Sequence, residues 1–322
     1  MKNIYIDDGS TGIKLAWKDG NGEIKTALTN NTFKKELSPP TGESQVYNYR
    51  CTGEDFSFSP MSTSIVMTNN VQWQYSAANA VAIQHALQQS GLVPQPIHAL
   101  VTLPLSEFYD HNNQPNLVNI EKKKASVAQA VEVLGGQAFI IEKVSVSPES
   151  IPAAVAKVAE LTDLDALLVV DLGGTTLDVS LIQGETASLV RVEGNASIGA
   201  SAVTREVDQA LRAANGQSSW RIADAIVKNR HNNEFIAARL FKEEDLPTIR
   251  EALDKSIVSL SNATTDFLTR FSGFTHVAVV GGGASLVADR VKESLKISDK
   301  RFFVSNDPQF DLVRGMLYIS GE

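Results

Sequence analysis

Leu168 to Ser180 reads LVVDLGGTTLDVS: a short apolar run that ends in an Asp, then a glycine pair, two threonines and a second alternating run. Val169 and Val170 read as a buried strand, and Leu177, Val179 and Leu181 alternate as a second one. Gly173 and Gly174 permit a tight reversal and a close backbone approach that a Cβ would resist. The expected element is a β-hairpin with a phosphate-sized concavity at its tip. Backbone N–H groups there, with the hydroxyls of Thr175 and Thr176, can donate to phosphate oxygens. Asp171 would repel a phosphate unless a cation lay between them, so it implies a metal, Mg2+ held through water. Asp-x-Gly-Gly also occurs as plain turn chemistry.

The first residues of the chain favour the phosphate reading. Ile4 to Trp17, IYIDDGSTGIKLAW, repeats the pattern, with Asp7 registering on Asp171, Gly9 on Gly173, Ser10 on Gly174 and Thr11 on Thr175. The offset of 164 residues is far longer than a solenoid repeat and points to two similar domains facing each other across a nucleotide cleft. Two such hairpins would grip a polyphosphate from both sides.

Bulk properties agree with a two-domain globular protein. The chain has 322 residues, 43% hydrophobic and 20% charged, with a net charge of -8. That acidity argues against a broad direct grip on nucleic acid, so any link to DNA would run through a partner. One cysteine, Cys51, allows no internal disulfide, and five scattered histidines show no ligand spacing. No signal peptide and no membrane-length apolar run are visible, so the expected location is cytoplasmic.

Along the chain, Asp19-Gly20-Asn21-Gly22 turns into a third strand near Glu23 to Leu28, and residues 29 to 64, rich in Ser, Thr, Pro, Gly and Asn, suggest a small strand-containing subdomain. Ser76 to Gln89 has helical periodicity and carries His85, expected as a core or surface histidine. Ile97 to Leu103 reads as a buried strand, LSEFYDHNNQPN after it as a loop, and Lys122, Lys123 and Lys124 as a solvated helix face. Phe139 to Val146 is a strand. Pro148-Glu149-Ser150-Ile151-Pro152 then opens a helix running to Leu161, with Glu149 at its N-terminus. Gly199 precedes a long helix in which Arg205 and Glu206 stand one turn inward, either toward a ribose or base or as an exposed pair. Residues 215 to 247 show no sharp motif. Thr275 to Val280, then Gly281-Gly282-Gly283-Ala284 and a helix, is a strand, glycine turn and helix that is neither a P-loop nor a dinucleotide fingerprint, and it fits an adenosine-facing wall. Asp311 to Ile319 is a helix expected to cross back to the first domain.

The ordered set IDDGST, PESIP, DLGGTTLD, SIGAS and VGGGA resembles the actin, hexokinase and Hsp70 ATPase superfamily over the whole chain. The stretches NNVQWQYSAANAVAIQHAL, TLPLSEFYDHNNQPN, SPESIPA and FTHVAVVGGGA resemble, within it, the ParM family of bacterial actins. The resemblance implies an α/β, two-domain actin-like (ribonuclease H-like) fold: domain I over 1–164 with a subdomain at about 29–90, domain II over 165–303, and 304–322 returning to domain I. It implies an ATPase that takes ATP, with GTP possible, and Mg2+, and polymerises into double-stranded helical filaments. Those filaments segregate plasmid DNA through a DNA-binding adaptor of ParR type at a centromere-like site. Carried onto this sequence, Asp7 and Asp171 would hold the metal through water and Glu149 would orient or deprotonate the hydrolytic water. Asp8, Gly9, Ser10, Thr11, Gly173, Gly174, Thr175 and Thr176 would hold phosphates, and Lys14 would supply a compensating cation. Gly281, Gly282 and Gly283 would face the base and ribose, with Arg205 and Glu206 opposite. Asp178 either touches the site or ties the hairpin, and filament contacts would fall on strand loops and the 29–64 stretch. A sugar kinase of the same superfamily and a non-hydrolysing nucleotide-binding scaffold are the other readings. An Hsp70-like chaperone would need a peptide-binding extension beyond Glu322.

Overall fold

A computed structural model describes residues 1–40, 46–62, 64–184, 188–214 and 218–321. Residues 41–45 and 63 of the Ser- and Pro-rich stretch, and 215–217 of the segment without motif, lie outside the described residues. In chain order, β1 (Lys2–Asp7), β2 (Gly12–Lys18) and β3 (Ile24–Asn30) form an antiparallel meander. Short β4 (Phe33–Lys34), β5 (Asn48–Cys51) and β6 (Glu54–Phe58) start a separate small sheet. A 3-10 turn over Val71–Tyr75 leads into α1 (Ala77–Gln89), whose N-cap Ser76 accepts from the Asn79 N–H. Next come β7 (Pro96–Leu103), α2 (Leu105–Phe108), α3 (Leu117–Val127), β8 (Val131–Val133) and β9 (Ile140–Pro148).

The second half begins with α4 (Val155–Val158) and a second meander of β10 (Ala166–Leu172), β11 (Leu177–Gln183) and β12 (Ser188–Asn195). Four helices follow: α5 (Ser201–Ala213), α6 (Trp220–Lys228), α7 (Asn233–Ala237) and α8 (Leu246–Leu268). The chain then runs through β13 (His276–Val280), α9 (Ala284–Leu295), β14 (Phe302–Phe303) and α10 (Asp311–Ile319).

The two large sheets share one topology, β3-β2-β1-β7-β9 and β12-β11-β10-β13-β14, in which the last two strands of each run parallel to the first. The duplication seen in the sequence is therefore a duplication of architecture. In register, Asp7 stands opposite Lys14 on one hairpin, and Asp171 opposite Asp178 on the other. The central strand β10 is buried at every residue, as a strand covered on both faces requires, which is why its sequence is a continuous apolar run. The edge strand β3 is only partly covered and mixes Lys, Thr and Asn with Ile, Ala and Leu. Among the described residues no helix is long and apolar enough to cross a membrane.

One face of the second sheet packs on α5, α6, α8 and α9, and one face of the first on α1 and the small sheet. Between the two sheets lie α10 and residues 152–158. Leu312, Val313, Met316 and Leu317 bury against Tyr5 and Ala16, while Ala154 and Val158 bury against Val169 and Ile182. The C-terminal helix thus returns to the first sheet.

Three local expectations need correction. The helix after PESIP is a 3-10 turn at Pro152–Ala154 followed by the single turn α4, because the chain must reverse within a few residues to enter β10. Glu149 therefore does not sit on a long helix. The supposed loop after Leu103 opens with α2, whose first carbonyl, that of Pro104, accepts from Glu107 and Phe108. In the basic run, Lys122 and Lys124 are at the surface but Lys123 is wholly buried. Within the segment without motif lie α6, capped by Ser219, and α7, capped by Asn232.

Gly315 on α10 lies so close to Pro152 that an added Cβ would overlap the Pro152 carbonyl, a backbone group that cannot swing aside. Gly315→Ala is expected to destabilise the protein by about 1–3 kcal/mol in urea unfolding, and an unchanged midpoint would mean that α10 is not clamped there.

Candidate active site

The two hairpin tips meet across a cleft between the sheets. Thr175 Oγ1 donates to Ser10 Oγ at 2.7 Å, and a Cβ on Gly174 would stand 2.5 Å from Thr11 Cγ2 and 2.7 Å from Ser10 Oγ. Glycine is thus required by the close approach of the opposite hairpin. Behind the second tip, Ala200 N and Ser201 N donate to the carbonyls of Gly173 and Gly174 at 3.0 and 2.8 Å, which seats the start of α5 against the hairpin. The cleft is lined by Asp7, Gly9, Ser10, Thr11, Lys14, Glu149, Asp171, Gly173, Gly174, Thr175, Thr176, Gly281 and Gly282. The fold therefore brings together most of the residues singled out by sequence.

Two glycines differ in their expected role. The Gly9 N–H donates to Asp7 Oδ1 at 3.0 Å, and the Gly173 N–H to the Thr176 carbonyl at 2.9 Å. Both N–H groups shape their own turns.

Glu149 reaches the cleft by backbone geometry. Its N–H continues the pairing of β9 with β7 by donating to Leu103 O at 2.9 Å, and the next residue, Ser150, adopts φ +70. A left-handed, non-glycine residue is uncommon and costs conformational energy, which here is held by bonds to the second sheet. Ser150 N donates to Asp171 Oδ2 at 3.1 Å and its hydroxyl pairs with Ser180 Oγ at 2.8 Å. Thr102 Oγ1 lies 3.4 Å from Glu149 Oε1. On the far side Gly281, at φ +86, passes so close to Asp171 that any Cβ would overlap the carboxylate.

The floor of the cleft concentrates negative charge. Burial first, then the carboxylates of Asp178 and Asp7, push the Asp171 carboxyl up to about 8. Burial, then Asp178, Asp7 and Asp171, likewise hold Glu149 well above the usual carboxylate range. Burial raises Asp178 to about 6 against the opposing bonds from Thr176 and the Leu105 N–H. Lys14 pairs with Asp7 at 2.9 Å. Burial would lower the Lys14 ammonium, but Asp7, Glu149 and Asp171 outweigh it and keep the group above its ordinary value. One ammonium faces several carboxylates, so the donor set suits a further cation. Among the described residues no three acidic, thiol or imidazole groups converge on a point that could hold a metal directly.

Several expected ligands lie elsewhere. Asp8, fully buried, turns away from the cleft and pairs with Lys123, which also donates to the Gln74 carbonyl and side chain at 2.9 and 2.6 Å. Adjacent residues on an extended strand face opposite ways, so only Asp7 can enter the site. Arg205 and Glu206 are exposed, because α5 turns Val203 and Val207 into the core; Thr204 and Ser201 line the cleft instead. Gly283 gives its N–H to Leu172 O at 2.8 Å and begins α9, while a Cβ on Gly282 would meet nothing within 4 Å. The sequence reading missed Trp73 and Gln74 on one wall and, on the other, Asp224, Lys228 and Arg230. Only the Ser219 cap and the amphipathic pattern of α6 signalled that wall, and neither marks a site.

Asp171 and Asp178 have folded values above their unfolded ones, so between about pH 4 and pH 8 the folded state holds more protons and stability falls as pH rises. Without nucleotide the melting temperature is expected to drop by roughly 5 °C between about pH 5 and pH 8, and Asp171→Asn to flatten that slope. A flat profile for the unaltered protein would contradict the charge distribution described.

The family model for plasmid segregation protein ParM, N-terminal, matches residues 1–160, and that for plasmid segregation protein ParM, C-terminal, matches residues 161–319. No curated protein matches the sequence. Among solved structures, the chain is similar to a non-polymerisable quadruple mutant of pCBH ParM, with a TM-score of 0.74 at 14% identity over 99% of both chains. It is similar to a 15-stranded ParM filament from Clostridium botulinum, with 0.72 at 14% identity over 99% of both chains. It is also similar to the archaeal actin homologue Ta0583 in complex with ADP, with 0.65 at 15% identity over 100% of this chain and 99% of that one. At such identities the likeness is one of fold, which is that of actin, whereas the two sequence models span nearly the whole length: the chain belongs to the ParM family of plasmid segregation proteins.

Proposed function

We propose that this chain hydrolyses ATP with Mg2+ and that the nucleotide controls its assembly into a filament. The filament moves plasmid DNA through an adaptor of ParR type bound at a centromere-like site. The observation that carries this reading is the meeting of two like hairpins, one from each sheet, over a floor that holds Asp7, Lys14, Glu149 and Asp171. A polyphosphate lying there bridges both sheets. The net charge of -8 suits a protein that leaves DNA contact to a partner. Filament structures of similar fold, including AlfA from a Bacillus subtilis plasmid, support assembly. Two strands are the expected number, and the 15-stranded relative makes that count a matter for electron microscopy.

Asp7 and Asp171 would hold the metal through its waters, and the metal would supply charge neutralisation at the phosphate oxygens. Ser10, Thr11, Thr175 and Thr176 donate to those oxygens, and Lys14 adds a fixed positive charge. Glu149 orients a water in line with the γ-phosphorus and takes its proton as the new P–O bond forms and the bond to ADP breaks. Without nucleotide, burial and the neighbouring carboxylates raise the proton affinity of Glu149, and its ionised, proton-accepting form would be favoured by a metal at Asp7 and Asp171. Loss of the γ-phosphate removes part of the bridge between the sheets, which weakens the conformation that neighbouring subunits recognise.

Light scattering and phosphate release after addition of ATP and Mg2+ test this together. The unaltered protein is expected to scatter and then decay as phosphate appears. Glu149→Ala is expected to scatter persistently with turnover reduced by about 100-fold or more. Phosphate release without assembly over a wide concentration range would favour a kinase or a monomeric ATPase, and silence in both channels a scaffold.

A further inference from the structure

We infer that Asp178 is the positioning residue that joins the two sheets behind the cleft, acting as a hydrogen-bond acceptor for the backbone of the other half. Asp178 stands on β11 opposite Asp171 and is 1% exposed. Its Oδ1 accepts from the Leu105 N–H at 2.7 Å, at the first residue of α2, directly after the cleft-lining Pro104. Asp178 itself stands two residues past Thr176 at the tip of the second hairpin. One side chain therefore ties that tip to the first half of the molecule.

The joint is closely fitted. Gly194 on β12 pairs in register with Asp178, and a Cβ there would stand 2.8 Å from Asp178 Oδ1 and 2.9 Å from Ser106 N. Three stretches of backbone, from β11, β12 and α2, thus converge on one carboxylate. From α2 the bonding continues toward the first hairpin. Tyr75 OH donates to Glu107 Oε2 at 2.6 Å, and Gln74, its neighbour in sequence, accepts from Lys123, the partner of Asp8. The two tips are connected in front by the contact of Thr175 with Ser10 and behind by this path. The front contact lies where a phosphate would enter, so the rear joint, together with the Ser150 bonds to Asp171 and Ser180, sets the angle between the hairpins. Leu105 N–H needs an acceptor, and a carboxamide at the same position supplies one without the charge.

This inference rests on the nucleotide reading for its consequence but not for its geometry, so two measurements separate them. Small-angle scattering of the nucleotide-free monomer reports the joint, and binding of a non-hydrolysable ATP analogue with Mg2+ reports the site, for the unaltered chain, Asp178→Asn, Asp178→Ala and Gly194→Val. Asp178→Asn is expected to keep the compact scattering profile and an affinity within about threefold. Asp178→Ala is expected to broaden the profile and weaken binding by about tenfold or more, and Gly194→Val, which wedges the joint without touching the cleft, to do the same. Melting curves identify any variant that fails to fold, and the other two then carry the test. Equal behaviour of Asn and Ala, or an unchanged profile for Gly194→Val, overturns the joint. A retained joint in a chain that binds no analogue overturns the nucleotide reading alone.

Discussion

The burial of like charge at the floor of the cleft is the constraint on which the rest of the structure depends. Asp7, Glu149 and Asp171 are at most 8% exposed there, Asp178 is buried behind them, and Lys14 is the cation that pairs directly with Asp7. Carboxylates withdrawn from water resist ionisation, and each raises its neighbours further. Such a site is costly empty and would be relieved by a cation, which is why it suits the proposed metal-bound phosphate. The fold holds the groups there by backbone geometry: paired hairpins, the left-handed Ser150, and the close pass of Gly281.

A second buried charge pair has a different role. Lys123 and Asp8 are wholly buried, and burial holds the Lys123 ammonium below its ordinary value although Asp8 opposes the shift. Such pairs gain little net stability over apolar packing, but losing one partner leaves the other uncompensated. Here the pair joins the first hairpin to the 3-10 turn whose Trp73 donates its indole N–H to the Asp8 carbonyl at 3.1 Å. A charge that reads as a phosphate ligand and a lysine that reads as a solvated face are both interior parts of the hairpin's support.

Backbone propensity and periodicity were readable in one dimension. The continuous apolar runs of β1 and β10, the alternation of β2 and β11, the Ser76 cap of α1 and the strand, glycine and helix order around Gly281 follow from local rules, and the 164-residue repeat places two hairpins in one frame. Elements whose form depends on where the chain must go next were not readable. The helix expected after Pro152 shrinks to one turn because β10 must begin against its neighbours, and α2 forms where a polar composition indicated a loop.

By itself the sequence determined that two Asp-and-glycine hairpins would exist, with Asp7 and Asp171 in matching places, and the family resemblance drew Glu149 and Lys14 to the same site. Those properties reside in residue type and short spacing, and the family motifs are built from the same residues. Only the tertiary structure decided direction and company. It turned Asp8 inward while Asp7 entered the cleft, left Arg205 and Glu206 in solvent, and brought Asp224 and Lys228 to a wall that no motif marked. It also set Asp178 against the Leu105 backbone, a contact between residues 73 positions apart. A strand reverses its facing at every residue and a helix every second, so a motif names the residues near a site, while the packing of one sheet against the other selects which of them reach it.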